Sequence, residues 1–332
     1  MLIAVVPAGC GLGERAANDV VVTGAEEYPV VLSVTRAVDG PVHWTEVLEQ
    51  TRAAGGDRRS LATPGIDVAE FPAFSPDGRQ VAFTGWRQDG DDTAVYVVAT
   101  AGGAMRRLTP VGTEAYGPAW SPDSEAILFT ARVGGRETLF TVSPRGGQMR
   151  RVTDSSRRLR FPAWSPDGRH IVCESYDNHG DSELVVMRAD GARVRQITKG
   201  VSRAYHHTSA TYPDWSPDGR WIVFSAPSGA DFNGPRYLFL IHPDGSGQKQ
   251  LTVGPEVDDT KPRWSPDGRL ILFWRSWEEW KLMVLDARAA ISADGEVKAT
   301  RAAEVVAEGV APTGEHWDSE PSGADIGQSD RR

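Results

Sequence analysis

The sequence predicts an all-β chain, a six-bladed β-propeller built from four-stranded antiparallel blades. Three observations predict it. A Pro-x-aromatic-Ser-Pro-Asp motif occurs five times, with its first serine at 75, 121, 165, 216 and 265. Steps of roughly 44 to 51 residues belong to arrays of small sheets. Each copy runs on into two apolar strand-like segments, and four of the five then close on a basic one. Incomplete copies stand at both ends of the chain, as a ring closed by shared strands requires.

The motif reads Phe71-Pro-Ala-Phe, Gly117-Pro-Ala-Trp, Phe161-Pro-Ala-Trp, Tyr212-Pro-Asp-Trp and Lys261-Pro-Arg-Trp, each followed by Ser-Pro-Asp. Its first proline cannot donate to a ladder, which places this strand at a sheet edge. An innermost strand facing a central channel meets that need. Phe74, Trp120, Trp164, Trp215 and Trp264 then fill the space between neighbouring sheets.

The Ser-Pro-Asp-Gly turn that follows is a hairpin connection. Proline presets φ, aspartate bonds nearby backbone, and glycine takes the left-handed conformation. Ser124 replaces that glycine in one copy, so this turn is expected to be strained.

The second strand is Val81-Ala-Phe, Ile127-Leu-Phe, Ile171-Val-Cys, Ile222-Val-Phe or Ile271-Leu-Phe. The third is Val95-Tyr-Val-Val and its counterparts at Leu139, Leu184, Tyr237 and Leu282. The fourth is Arg106-Arg-Leu-Thr, Arg150-Arg-Val-Thr, Arg195-Gln-Ile-Thr or Lys249-Gln-Leu-Thr. Charge on so short an outer strand discourages edge-to-edge association.

At the N-terminal end, runs beginning at Val30, Thr45 and Arg58 read as second, third and fourth strands with the first one missing. At the other end, His316-Trp-Asp-Ser-Glu-Pro-Ser-Gly resembles the lead-in to a first strand. The C-terminal segment is therefore expected to complete the N-terminal blade. The domain map is a leader and tether over 1–28, a propeller over 29–321 and a frayed tail over 322–332.

Composition fits a soluble globular chain: 332 residues, 40% hydrophobic, with net charge −9. An acidic balance argues against a nucleic-acid partner. Of two cysteines, Cys173 falls in an apolar strand and reads as core. Cys10 ends Val5-Val-Pro-Ala-Gly-Cys, which resembles a bacterial lipobox and implies lipidation of Cys10 and an envelope location. Pro7 and the lack of a basic segment before the apolar run depart from that pattern.

The repeats resemble those of the TolB-like, WD40-like (PD40) propeller family over roughly residues 29 to 321. The resemblance implies a rigid propeller with binding loops. TolB carries an additional α/β domain, for which residues 11 to 28 are too few.

A propeller sorts its loops onto two faces. The Ser-Pro-Asp-Gly turns and the Gly-containing C–D turns share one, and they repeat. The B–C and D–A connections share the other, and they vary. Binding residues concentrate on variable loops over a rigid scaffold, so the candidates lie there: Tyr205, His206 and His207 in the long D–A connection, His179, Asp181 and Asp231 in neighbouring B–C loops, and Arg275 and Trp277 in the last blade. Trp86, Trp277 and Trp280 could stack on a sugar or anchor a partner, and packing against the adjacent blade is the favoured reading of all three. Asp214 and Arg263, where other copies have alanine, are expected to pair or to face the channel.

Imidazole from His206, His207 or His179 with Asp181 or Asp231 suits a divalent ion, yet no spacing here matches a metal motif. No cofactor is therefore expected. Asp89-Gly-Asp-Asp lacks the remaining ligands of a calcium loop. There is no Gly-x-Ser-x-Gly elbow, Walker A or dinucleotide fingerprint.

The expected function is a non-catalytic, monomeric propeller at the cell envelope, binding a protein or glycan through its variable face. One alternative is a metal-dependent oligogalacturonate-type lyase, in which His206, His207 and His179 act with Arg203, Arg236 and Arg275 on the uronate carboxylates. Another is a cytoplasmic interaction scaffold.

Overall fold

A computed structural model of the protein describes residues 3–5, 29–37, 44–52, 59–61, 63–87, 90, 92–154, 156–177, 182–198, 209–227, 234–254, 257–276, 280–291 and 303–304. Four-stranded sheets follow one another along the chain. The first contains β1 (Ile3–Val5), β2 (Pro29–Ala37), β3 (Trp44–Arg52) and β4 (Arg59–Ser60). The second contains β5 (Val68–Phe74), β6 (Gln80–Trp86), β7 (Ala94–Ala99) and β8 (Arg106–Arg107). The third contains β9 (Glu114–Trp120), β10 (Ile127–Val133), β11 (Arg136–Val142) and β12 (Arg150–Arg151). The fourth contains β13 (Arg158–Trp164), β14 (His170–Tyr176), β15 (Ser182–Arg188) and β16 (Arg195–Gln196). The fifth contains β17 (Thr211–Trp215), β18 (Ile222–Pro227), β19 (Arg236–Ile241) and β20 (Lys249–Gln250). The sixth contains β21 (Asp258–Trp264), β22 (Leu270–Ser276), β23 (Trp280–Asp286) and β24 (Ala303–Glu304), with a single helical turn α1 (Ala287–Ala290) before β24.

Two expectations are corrected. Among the described residues, five sheets, not six, are wholly antiparallel blades, because β1 pairs with β2 in parallel. The closing strand is also a different one. The innermost place of the first sheet belongs to Ile3–Val5, not to a C-terminal segment, and β1 packs beside both β5 and β21. A parallel neighbour needs a connection of a dozen or more residues, and residues 6 to 28 supply that length. His316 to Gly323 lie outside the described residues.

The turn chemistry is as the motif predicts. In the fourth sheet, Ser165 Oγ donates to Asp167 Oδ1 (2.5 Å), and the backbone N–H groups of Arg169 and His170 donate to Asp167 Oδ1 (3.0 Å) and Ser165 Oγ (2.9 Å). The same bonds recur around Ser75, Ser121, Ser216 and Ser265. Ser124 stands at φ +61°, in the region that favours glycine.

The fourth strands do more than guard an edge. Arg59 donates to Ala101 O, Arg106 to Pro144 O, and Arg195 to Pro243 O and Asp244 O. Each guanidinium thus holds the C–D turn of the next blade. The threonine closing each basic segment accepts from the third strand, as Thr109 Oγ1 does from Val95 N–H and Thr252 Oγ1 from Leu238 N–H.

Apolar contact between neighbouring sheets makes the core. Trp120, Phe129 and Phe140 of the third sheet pack on Ala82, Val95 and Val97 of the second. Cys173 is fully buried among Ile171, Val185, Met187 and Leu128, and burial pushes its thiol up, consistent with a packing residue.

Candidate functional site

β5, β9, β13, β17 and β21 are the innermost strands of the antiparallel blades, and each is interrupted by a register shift just before its proline. The residue at that bulge has a positive φ in every blade: Phe71 (+48°), Gly117 (+63°), Phe161 (+46°), Tyr212 (+52°) and Lys261 (+53°). A non-glycine residue held there costs about 1–3 kcal/mol. The proline offers no N–H to the ladder, so the pairing is interrupted where the motif places it.

The bulge residues meet across the channel. The rings of Phe71 and Phe161 lie 5.1 Å apart, those of Phe161 and Tyr212 4.8 Å apart, and Tyr116, beside the bulge, lies tilted 5.6 Å from Phe161. Lys261 Nζ stands 5.4 Å from the Phe71 ring and 5.5 Å from that of Tyr212. Gly117 makes this possible: a Cβ there would sit 3.1 Å from the Phe161 ring. An aromatic–lysine plug therefore divides the channel.

Charged residues gather on the variable-loop side of the plug. Glu137 is nearly fully buried and binds Arg160 (2.6 Å), Arg158 (3.1 Å) and Arg132 (3.5 Å). Burial raises its carboxyl, but Arg160 and Arg158 outweigh burial and hold it below the usual range. Arg132 also pairs with Glu114 at 3.2 Å, and these two side chains are 41% and 50% exposed, so the cluster reaches solvent at the mouth. Arg160 lies 4.5 Å over the Tyr176 ring.

Two carboxyls are held differently. Burial pushes Glu174 up to about 7, against the opposing pull of Tyr212 N–H (2.6 Å), the Tyr176 hydroxyl (2.7 Å), Arg160 and Arg236. Burial likewise pushes Glu70 to about 7, opposed by Lys261. Both groups change charge near neutral pH.

On the turn side of the plug lies a cavity of about 210 Å³, reaching from Phe71, Phe161 and Tyr212 to Pro76. Asp214 and Arg263 line it, which places both in the channel.

Of the residues singled out from sequence, Arg275 is described: it makes a two-pronged contact with buried Asp259, at 2.6 and 2.7 Å. Arg236 donates to Ser209 O and Thr211 Oγ1, both at 2.7 Å. Trp86 is half-buried. Cys10, His179, Asp181, Arg203, Tyr205, His206, His207, Asp231 and Trp277 lie outside the described residues, as does the side chain of Trp280. Asp92, at the end of the acidic hairpin loop, pairs with Arg107 at 2.5 Å and accepts from Gly112 N–H. Among the described residues no group of His, Cys, Asp and Glu could hold a metal ion.

Sequence reasoning passed over Glu137, Glu174, Glu70 and the bulge residues. The bulge position did carry a signal: a large, varied residue stands before an unvarying proline in four of five copies.

A model of the TolB β-propeller domain (PD40) matches residues 47–202 and 160–297. This chain belongs to the TolB β-propeller domain family. Its solved relatives share the architecture. TolB from Acinetobacter baumannii superposes with a TM-score of 0.58 at 15% identity, over 86% of this chain and 91% of that one. An oligogalacturonate lyase in complex with manganese gives 0.52 at 14% identity, over 81% and 71%. An uncharacterized peptidase, YuxL, of Bacillus subtilis is 28% identical over 164 residues, 49% of this chain and 22% of that protein. The chain thus matches about a fifth of that relative's length. At such identities the solved structures speak for the fold alone, and fold does not carry function.

Proposed function

We propose that this TolB-family propeller is a non-catalytic binding protein of the cell envelope, taking a protein or glycan partner on its variable-loop face. The observation that carries the reading is the cluster around Glu137. Its buried carboxylate fixes Arg158 and Arg160, while Arg132 and Glu114 extend to the mouth. Charges held in place by a rigid scaffold lose little entropy when they bind. The opposite face offers turns whose serine and aspartate already satisfy one another.

The envelope location rests on family membership and on the lipobox-like Ala8-Gly-Cys10. No helix among the described residues is long and apolar enough to cross a membrane. An anchor would be the lipid on Cys10, which fatty-acid labelling of the cells and a Cys10→Ala control would detect.

The lyase alternative depends on His206, His207 and His179. The protein, loaded with manganese, is predicted to leave oligogalacturonate intact. Unsaturated uronate product that forms steadily and disappears with EDTA would replace the binding reading with the lyase one.

A further inference from the structure

The turn-side half of the channel differs in kind from the variable-loop half. In three blades the residue after the proline is alanine, and Ala73, Ala119 and Ala163 all border the cavity. In the next two blades it is Asp214 and Arg263. One side of the cavity therefore carries alanine methyl groups, and the other an acidic and a basic group from adjacent strands; burial raises the Asp214 carboxyl and Arg263 opposes that rise. Its floor is aromatic, with Phe161 at its centre.

These two charges are each anchored to backbone. Asp214 Oδ2 accepts the Trp264 N–H at 2.8 Å, and Arg263 Nη1 donates to Pro262 O at 3.0 Å. Neither contact uses up its group, since a carboxylate has about four acceptor sites and a guanidinium five N–H donors. A lone anion would be repelled by Asp214 and a lone cation by Arg263. A molecule carrying both charges a few ångströms apart satisfies both groups at once. The volume of about 210 Å³ falls below the roughly 300–1,000 Å³ of pockets for drug-sized ligands, which limits the occupant to a small molecule.

We infer that this cavity binds a free α-amino acid with an apolar side chain. The ammonium meets Asp214, the carboxylate takes the Arg263 fork, and the side chain lies between the alanine wall and the Phe161 ring. Planar, two-pronged recognition of a carboxylate is the task for which arginine geometry is suited. The site is on the opposite side of the plug from the partner-binding mouth, so it neither requires nor supports that reading.

Calorimetric titration of the full chain with L-leucine and L-phenylalanine tests it, with N-acetyl-L-leucine and L-leucinamide as probes lacking one charge each. At least one of the amino acids is expected to bind saturably, and both single-charge probes at least about tenfold more weakly. Asp214→Asn and Arg263→Gln are each expected to weaken binding about tenfold or more, about 1.4 kcal/mol at the least. Arg263→Gln leaves the Asp214–Trp264 contact intact, so it decides the matter if Asp214→Asn does not fold. The inference is overturned if neither amino acid binds saturably, if the single-charge probes bind as well, or if folded Arg263→Gln binds like the parent.

Discussion

The Lys261 ammonium stands 5.4 Å from the centroid of the Phe71 ring. These residues belong to the last and first of the antiparallel blades, so the contact reaches across the first sheet's innermost strand. Lys261 also opposes the rise of the Glu70 carboxyl. Lys261→Met keeps the bulk and removes the charge. At about pH 5, where Glu70 is protonated, the loss should be that of a cation–π contact, about 0.5–2 kcal/mol. At about pH 8, where Glu70 is ionised, it should be clearly larger. Urea midpoints at the two pH values measure the difference.

Glu174 and Glu70 give the protein a pH dependence of definite sign. Each has a folded value of about 7 against an ordinary 4.5. Between those values the folded chain retains protons that the unfolded chain has lost, so their contribution falls as pH rises from about 4.5 to about 7 and is then level. The turn aspartates Asp77, Asp123 and Asp167 are lowered below 3.8, chiefly by their serine partners. Their contribution is lost as pH falls below that value. Glu174→Gln should flatten the decline toward neutral pH while leaving the acid limb unchanged, as thermal melts across the range would record.

Glu137→Gln removes the charge that three arginines share. Breaking one side of a buried ion pair costs about 3–5 kcal/mol, and the partial exposure of Arg132 and Arg158 places the expected loss toward the lower end. Denaturant titration would show it. A variant as stable as the parent would mean that the cluster is solvated and does not order the mouth.

Ser124 is the one position of the repeated turn where serine replaces glycine, and it stands at φ +61°. Ser124→Gly should stabilise the chain by about 0.5–1 kcal/mol. Its Oγ accepts only a long bond, 3.4 Å, from Asp77 N–H, so little is lost. In a chain of this size the melting temperature should rise by about 1–3 °C.

What was legible in the sequence is local. Ser165, Pro166, Asp167 and Gly168 make their turn from their own backbone and side chains, so the motif alone announced it, and its period announced the array. The strand that closes the ring was not legible. Ile3 to Val5 reads equally as part of a leader, and only its pairing with β2 distinguishes the two. Channel contents were hidden for a related reason. Phe71 meets Phe161 where the blade between them offers Gly117, at which a Cβ would crowd the Phe161 ring, a relation among residues from three blades. Glu174 follows the apolar run Ile171-Val-Cys, and its buried carboxyl is held by Tyr176 and the Tyr212 backbone beside it.

The most direct test of the binding reading compares the two faces in cells. A photo-crosslinking residue replaces Glu114, half exposed at the mouth, or Arg169, exposed on a Ser-Pro-Asp-Gly turn. The account predicts a discrete covalent adduct from position 114 and none from position 169. Adducts from 169 with none from 114, or none from either, would contradict it.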